Sequence, residues 1–381
     1  MTAADLPVPA VRDGYGHARM PRSAAASEPE RIDKLPYGRF RNVYLYISEA
    51  CQLRCEHCYM GERLDRAMKM PLSQITDWLT IWRRMGGSKV TILGGEPTLH
   101  PHFTDAVRIA GRLGYEHVIT TTNAQEPARR KFRAMTPGDF AYVQVSLDGG
   151  SARAHDAIRG AGTFDTAVAT TRELAQRGFD TRVICTVNRA NRDDALRLLE
   201  LAGELGVSLL KFHVFSAIGA GHLNPELALT PPEWIEFCDL LERAAVLYDT
   251  RVWYQPTYAR REQMGRYAAE GYQGCVGRTL DRISVFPDGR AYVCSYLFDT
   301  ALNFAQMTDG QVTLNHQASE FDLFASALTR SACGGCKTPA CLGGCPAEQV
   351  VTGTSSCAAY PDIVPVCRLW KSSAKPEAPS P

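Results

Sequence analysis

The run Val43-Tyr44-Leu45-Tyr46-Ile47-Ser48 leads through Glu49-Ala50 into Cys51-Gln52-Leu53-Arg54-Cys55-Glu56-His57-Cys58-Tyr59. Its first six residues have the length and the aromatic and β-branched content of a buried strand. Three cysteines then fall in the loop directly after it, spaced CxxxCxxC. The same texture recurs downstream, with strand-like runs at 90–93, 117–122, 142–147, 182–188 and 209–215 separated by segments of helical periodicity. In 72–85, Ile75, Trp78, Leu79 and Trp82 share one helical face. Segments 105–113, 164–177 and 193–205 are similarly amphipathic. Six strand–helix units imply a parallel sheet with right-handed crossovers. Eight would close a barrel, so the expected fold is α/β, a partial (β/α)6 barrel of the TIM type.

A chain of 381 residues has room for such a domain and a smaller second one. The expected divisions are a loose leader at 1–36, the barrel domain at 37–230, and a helical linker at 231–273 with a helix near 231–248. A Cys- and Gly-rich domain at 274–371 and a disordered tail at 372–381 complete the chain. A hydrophobic content of 45% with 22% charged residues is ordinary for a soluble globular protein. The net charge of +1 gives no electrostatic case for nucleic acid or an anionic membrane. No apolar run reaches the roughly 18 residues that a membrane span requires. The N-terminus has no apolar stretch of the kind a secretion signal carries, which points to the cytoplasm. In that reducing compartment the 13 cysteines read as metal or cluster ligands before disulfides.

Cys51, Cys55 and Cys58 have the number and spacing to hold three irons of a cubane [4Fe–4S] cluster, leaving one iron open. Zinc wants four ligands, and only His57 is at hand to complete such a site. In parallel α/β barrels, function collects at the C-terminal ends of strands. The second strand ends in Gly94-Gly95-Glu96-Pro97 and the third in Thr121-Thr122-Asn123-Ala124. Ser146-Leu147-Asp148-Gly149 ends the fourth, followed by His155-Asp156 and Arg159-Gly160, and Asn188 ends the fifth. Alone, the Gly-Gly segment reads equally as a plain strand-to-helix turn, and Arg159 as a surface or salt-bridging arginine.

Taken together, these elements resemble the radical S-adenosylmethionine (SAM) superfamily over roughly residues 40–220. The resemblance implies that Cys51, Cys55 and Cys58 hold a 4Fe-4S cluster whose open iron binds SAM. One-electron cleavage then yields a 5′-deoxyadenosyl radical, which abstracts hydrogen from a substrate. It also implies that Gly94, Gly95, Glu96 and Pro97 receive the SAM ammonium group. Thr122, Asn123, Ser146, Asp148, Arg159 and Asn188 would supply the remaining cofactor contacts. Ala124 departs from the pattern, standing where the superfamily usually has Gly.

Farther along, 282–293 reads as a hairpin around Pro287-Asp288-Gly289, with Cys294 at the end of its second strand. Cys333, Cys336, Cys341 and Cys345 follow among glycines, and then Cys357 and Cys367. Alone, this pattern fits a pair of structural zinc sites. With Cys275 it resembles the SPASM domain, although the spacing from Cys336 to Cys341 is one residue short. The resemblance implies two auxiliary clusters. Cys275, Cys294 and Cys345 would hold the first, and Cys333, Cys336, Cys341 and Cys367 the second. The segment after Cys367 matches the family's closing segment better than Cys357 does. Cys185 and Cys238 fall in apolar runs and read as core, while His100, His102, His213 and His222 lack ligand spacing.

The resemblance implies an enzyme that modifies a ribosomally made peptide by crosslinking or oxidation. The alternative is a dehydrogenase or epimerase acting on an aminocyclitol or sugar, and more remotely a non-catalytic metal-binding protein. About 40 residues before the first strand leave no room for a leader-peptide recognition domain, so a separate recognition protein is expected. A reductase, flavodoxin or ferredoxin is the expected electron donor. Ser295 replaces the Asp that sulfatase-maturing relatives carry after the matching cysteine, which argues against that activity. Tyr254, Gln255, Tyr258 and Asp299 are candidate bases or hydrogen donors.

Overall fold

The computed structural model describes residues 40–248, 250–255, 257–269, 281–314, 345–352, 360 and 362–365, with two-residue strands at 11–12, 18–19 and 30–31. Six parallel strands form its centre: β1 (Asn42–Ser48), β2 (Lys89–Gly94), β3 (His117–Thr122), β4 (Tyr142–Ser146), β5 (Thr181–Val187) and β6 (Leu209–Val214). They lie in chain order across the sheet, as a partial barrel requires. Every run expected of a strand is one, with ends shifted by no more than a residue.

The sheet extends farther than the expected six. A short β7 (Val252–Tyr254) adds parallel to β6. At the other edge β8 (Arg282–Val285) adds parallel to β1, pairing Ser284 with Tyr44. The predicted hairpin is present, β8 running antiparallel to β9 (Arg290–Tyr292). Two further antiparallel strands, β10 (Ala305–Thr308) and β11 (Gln311–Leu314), follow. The proposed boundary near residue 274 therefore precedes strands that continue the barrel's own sheet.

Helices α1 (Leu72–Arg84), α2 (Phe103–Arg112), α3 (Glu126–Arg133), α4 (Ala152–Arg159) and α5 (Thr163–Gln176) connect the first five strands. The segment expected as one helix at 193–205 is two, α6 (Arg192–Ala195) and α7 (Leu198–Leu205). The linker helix is α8 (Pro231–Leu247), started by a reciprocal Thr230–Glu233 capping box with Pro231 in its first turn.

Alternation within the strands decides what faces the lumen. In β5, Val183, Cys185 and Val187 are buried, while Arg182, Ile184 and Thr186 line an internal cavity. The outer layer is densely aromatic: Trp78 and Trp82 of α1 stack 5.9 Å apart, and Phe40 meets Trp82 edge-on. Cys185 and Cys238 lie in this core, as read from the sequence. The inner layer is polar instead, with Lys89, Thr91, Gln144, Arg182 and Lys211 all lining the cavity. Closed TIM barrels pack this space with branched side chains; here it stays open, a chamber of about 590 Å³.

Candidate active site

The cysteine loop leaves β1 at the chamber's upper rim, and Cys51, Cys55 and Cys58 all line the cavity. It is pinned from three sides. Cys58 N donates to the Cys55 carbonyl at 3.0 Å, Glu56 N to Ile158 O at 3.1 Å, and Ala220 N to Cys58 O at 2.8 Å. N–H groups are aimed at the sulfurs. Cys51 Sγ faces Leu53 N at 3.5 Å and Asn123 Nδ2 at 3.7 Å, and Cys55 Sγ faces Arg159 Nη1 at 3.9 Å. The amides of Met60 and Gly61 point at Cys58. Donors of this kind suit thiolates, and hydrogen bonds to cluster sulfurs are a main control on iron–sulfur centres.

Burial pushes the thiol of Cys51 up to about 12 and that of Cys55 up to about 11, and raises Cys58 as well. Left to themselves they stay protonated at neutral pH; a coordinated metal is what deprotonates such a thiol. Among the described residues no three His, Cys, Asp or Glu side chains converge on one metal-ion position. A cluster that takes one thiolate per iron needs no such common point. The donor set therefore fits a [4Fe–4S] cluster better than a single zinc.

The end of β2 forms the adjoining wall. A Cβ on Gly94 would meet Ser48 O at 2.6 Å, and one on Gly95 would meet Ala50 O at 2.6 Å and Glu49 O at 2.7 Å. Those carbonyls belong to the segment entering Cys51, so only glycine lets the two loops approach. Gly95→Ala is expected to weaken SAM binding to the reconstituted protein by at least about tenfold, about 1.4 kcal/mol. Equilibrium titration checks this, and an unchanged affinity would mean that the loops yield. Glu96 is buried and fully used by its own surroundings. Its carboxylate accepts from Thr98 N at 3.1 Å, Thr98 Oγ1 at 2.6 Å, Thr122 Oγ1 at 2.9 Å and Asn123 N at 2.8 Å. It braces the ends of β2 and β3 together.

Ala124 occupies the left-handed region, φ +58°, with its methyl fully buried. Left-handed strain costs about 1–2 kcal/mol. Burying a methyl recovers about 0.8 kcal/mol, and the lower chain entropy of Ala over Gly recovers about 0.5–1 kcal/mol. The terms nearly cancel, which explains how Ala stands here. Ala124→Gly is accordingly expected to change unfolding free energy by less than about 1 kcal/mol in a denaturant titration.

Beyond β4 lies a buried ion-paired cluster. Arg159 Nε binds Asp148 Oδ2 at 2.5 Å, and His57 Nε2 reaches the same oxygen at 3.3 Å. Asp148 Oδ1 accepts from Thr186 N at 2.8 Å. Burial alone would raise the Asp148 pKa, but Arg159 and His57 outweigh it and hold it below the usual carboxylate value. Burial lowers His57 to about 4, so its imidazole is neutral.

A sequence profile described as the radical SAM superfamily matches residues 45–202, spanning the cysteine loop and the ends of the first five strands. The chain carries a radical SAM domain. Mycofactocin maturase MftC of Mycobacterium ulcerans is 29% identical over 335 residues, covering 85% of this chain and 88% of that protein. A probable GTP 3′,8-cyclase of Saccharolobus solfataricus is 25% identical, covering 72% and 89%. Streptococcus suis SuiB bound to its precursor peptide SuiA superposes with a TM-score of 0.64 at 15% identity, over 88% of this chain and 75% of that one, a likeness of fold.

As a radical SAM protein the chain uses a 4Fe-4S cluster and SAM. Of the residues expected to meet them, Gly94, Gly95, Glu96, Thr122, Asn123, Ser146 and Arg159 line the chamber. Pro97 is buried and opens the short turn Pro97–Leu99 behind it. Asp148 and Asn188 are fully buried and not among the lining groups. Asp148 positions Arg159, while the Asn188 side chain caps the turn into α6 through Ala190 N and Asn191 N.

Of the C-terminal cysteines, Cys294 and Cys345 are described, and both line the same chamber. The helix that follows Cys345, Pro346–Thr352, packs on the turn Ser295–Leu297 that follows Cys294. Cys275, Cys333, Cys336, Cys341, Cys357 and Cys367 lie outside the described residues.

Of the four candidate bases only Gln255 lines the chamber. The Tyr254 hydroxyl is bonded to Glu242, Tyr258 pairs in an edge ladder with Pro365, and Asp299 is held by Arg63 and Arg66. Sequence reading missed a hydroxyl chain on the wall. Tyr46 and Tyr59 share a 2.6 Å hydrogen bond, Tyr46 donates to Ser295 at 3.0 Å, and Ser295 meets Ser284 at 2.8 Å. Burial pushes Tyr46 up to about 12 and raises Tyr59 well above the usual phenol range, so both phenols keep their protons. Period-two polarity in β1 and β8 was the available signal.

Proposed function

We propose that this chain is a radical SAM enzyme that modifies a ribosomally made peptide by crosslinking or oxidation. The single observation that carries this reading is the shared chamber. Three cysteines at its rim, a glycine-lined cradle and two C-terminal cysteines all open on one cavity of about 590 Å³, within the range of sites that enclose a sizeable ligand. The similarity to a maturase over most of both chains supports a peptide as the occupant.

When bound, the cluster and SAM supply a carbon-centred radical able to take hydrogen from an unactivated carbon. The chain's own part is orientation and exclusion of water. Cys51, Cys55 and Cys58 would hold the cluster, and Gly94 and Gly95 would present backbone carbonyls to the SAM ammonium. Asp148 holds Arg159 toward the cysteine rim. The phenols of Tyr46 and Tyr59 keep their protons within the hydroxyl chain, Tyr59 donating to Tyr46 and Tyr46 to Ser295, and so fix that wall.

In this reading residues 274–371 form the auxiliary-cluster domain, with Cys275, Cys294 and Cys345 on one cluster and Cys333, Cys336, Cys341 and Cys367 on another. The placement of Cys294 and Cys345 on one wall supports the first set. A reductase or flavodoxin would deliver electrons, and a separate recognition protein would present the peptide's leader, all in the cytoplasm. Among the described residues no helix is long and apolar enough to cross a membrane.

Anaerobic reconstitution with iron and sulfide tests the proposal. It is expected to give about twelve irons per chain, three four-iron clusters, and 5′-deoxyadenosine from SAM that rises when a precursor peptide is added. About four irons with zinc in the rest would remove the auxiliary clusters. Stimulation by an aminocyclitol or a nucleotide, and by no peptide, would overturn the substrate class.

A further inference from the structure

The lower end of the chamber has a chemistry that the radical site does not use. Lys89 opens β2, Arg182 lies near the start of β5, Arg282 opens β8 and Lys211 is the third residue of β6, and all four line the cavity. Three of these cations surround one ring. Arg182 Cζ lies 3.8 Å, Lys211 Nζ 4.9 Å and Lys89 Nζ 6.0 Å from the centre of Tyr142. Arg282 Cζ sits 4.5 Å over the ring of Tyr44.

Among the described residues the only carboxylate bonded to any of the four is Asp180, on Arg182 at 2.6 Å. Arg282 is buried, and its Nε has no hydrogen-bond partner among the described residues. Lys211 spends one donor on Gln144, whose amide is held in turn by Thr121 at 2.8 Å. Lys89 and Lys211 face the same ring from within about 11 Å of one another, so their charges oppose each other. Burial, with the charges of Lys89 and Arg182 beside it, brings Lys211 down to about 7. Lys89 and Arg282 are thus left without a carboxylate partner among the described residues, and positive charge of this kind around a cavity favours an incoming anion.

We propose that this floor is a carboxylate subsite which anchors the acidic end of the substrate below the SAM site. Aromatic faces and a guanidinium fork suit a planar carboxylate. Along β2 the floor is five residues below the glycine cradle, about 17 Å at strand rise. The proposal rests on the peptide reading for what carries the carboxylate, a chain terminus or an Asp or Glu side chain.

The test is anaerobic calorimetric titration of the reconstituted full chain with SAM present. The probes are N-acetyl-phenylalanine, its amide, N-acetyl-isoglutamine (a side-chain carboxylate with a blocked terminus) and inorganic phosphate. The terminal acid is expected to bind at least about tenfold more tightly than the amide, about 1.4 kcal/mol. Lys211→Met and Arg282→Met should each remove most of that preference and leave amide binding unchanged. Arg282→Lys, which keeps the charge, guards against a folding effect and should retain part of the preference. Tighter binding of N-acetyl-isoglutamine would make the anchored group a side chain and keep the subsite. Equal binding of acid and amide, or phosphate binding more tightly than either carboxylate, would overturn it. The peptide reading is judged separately by peptide-dependent 5′-deoxyadenosine formation, so either idea can fail alone.

Discussion

The Cys51→Ala/Cys55→Ala/Cys58→Ala variant is expected to form no detectable 5′-deoxyadenosine and to lose about four irons per chain, one cubane cluster. The three sulfurs are spaced around one rim and receive N–H donors from Leu53, Asn123, Arg159, Met60 and Gly61. None of the three side chains is itself fully buried, so their removal leaves the packed outer layer untouched. Thermal unfolding of the apo-variant should therefore match that of the apo-parent within a few degrees, roughly the effect of 1 kcal/mol. Iron content equal to the parent's would mean that the rim is not a cluster site.

Asp148→Asn carries the largest expected loss of stability. The Asp148 side chain is completely buried and that of Arg159 nearly so, at 0% and 10% exposure. The asparagine keeps a hydrogen bond for Thr186 N but leaves the guanidinium without its counter-charge. Breaking a buried pair from one side costs about 3–5 kcal/mol, most of it the stranded charge. Urea titration should show that loss, with weakened SAM binding as Arg159 leaves its place beside Cys55. A loss under about 1 kcal/mol would mean that water or another carboxylate takes over the guanidinium.

The barrel was legible because its strands are bounded by turns and its helices present aromatic faces, as in Trp78 and Trp82. The cysteine loop and the glycine cradle were legible because their spacing is chemical. What escaped had no local signal. Residues 252–254 are too short to stand out as a strand, and β8 was read only as half of a hairpin, since its pairing with β1 lies some 240 residues away in sequence. α3 and α4 are only eight residues long. Asp148 and Ser146 lie two residues apart at the end of one strand, yet Ser146 faces the chamber while Asp148 lies behind the wall with Arg159. The basic floor was invisible because Lys89, Arg182, Lys211 and Arg282 come from four strands, each showing only ordinary alternation.

The loop that bears the three cysteines is anchored by residues made much later. Arg63 is buried between Glu49, at 2.6 Å, and the pair Asp288 and Asp299, at 2.9 and 2.6 Å, while its guanidinium lies 4.5 Å over the ring of Phe286. At roughly 5–20 residues per second, a ribosome needs on the order of 10 to 50 s to pass from Arg63 to Asp299. Through that interval Glu49 and its arginine wait without their final neighbours, and the sheet edge that β8 will cover stays open. The anchor of the cysteine loop is therefore complete only once Asp288 and Asp299 have been made.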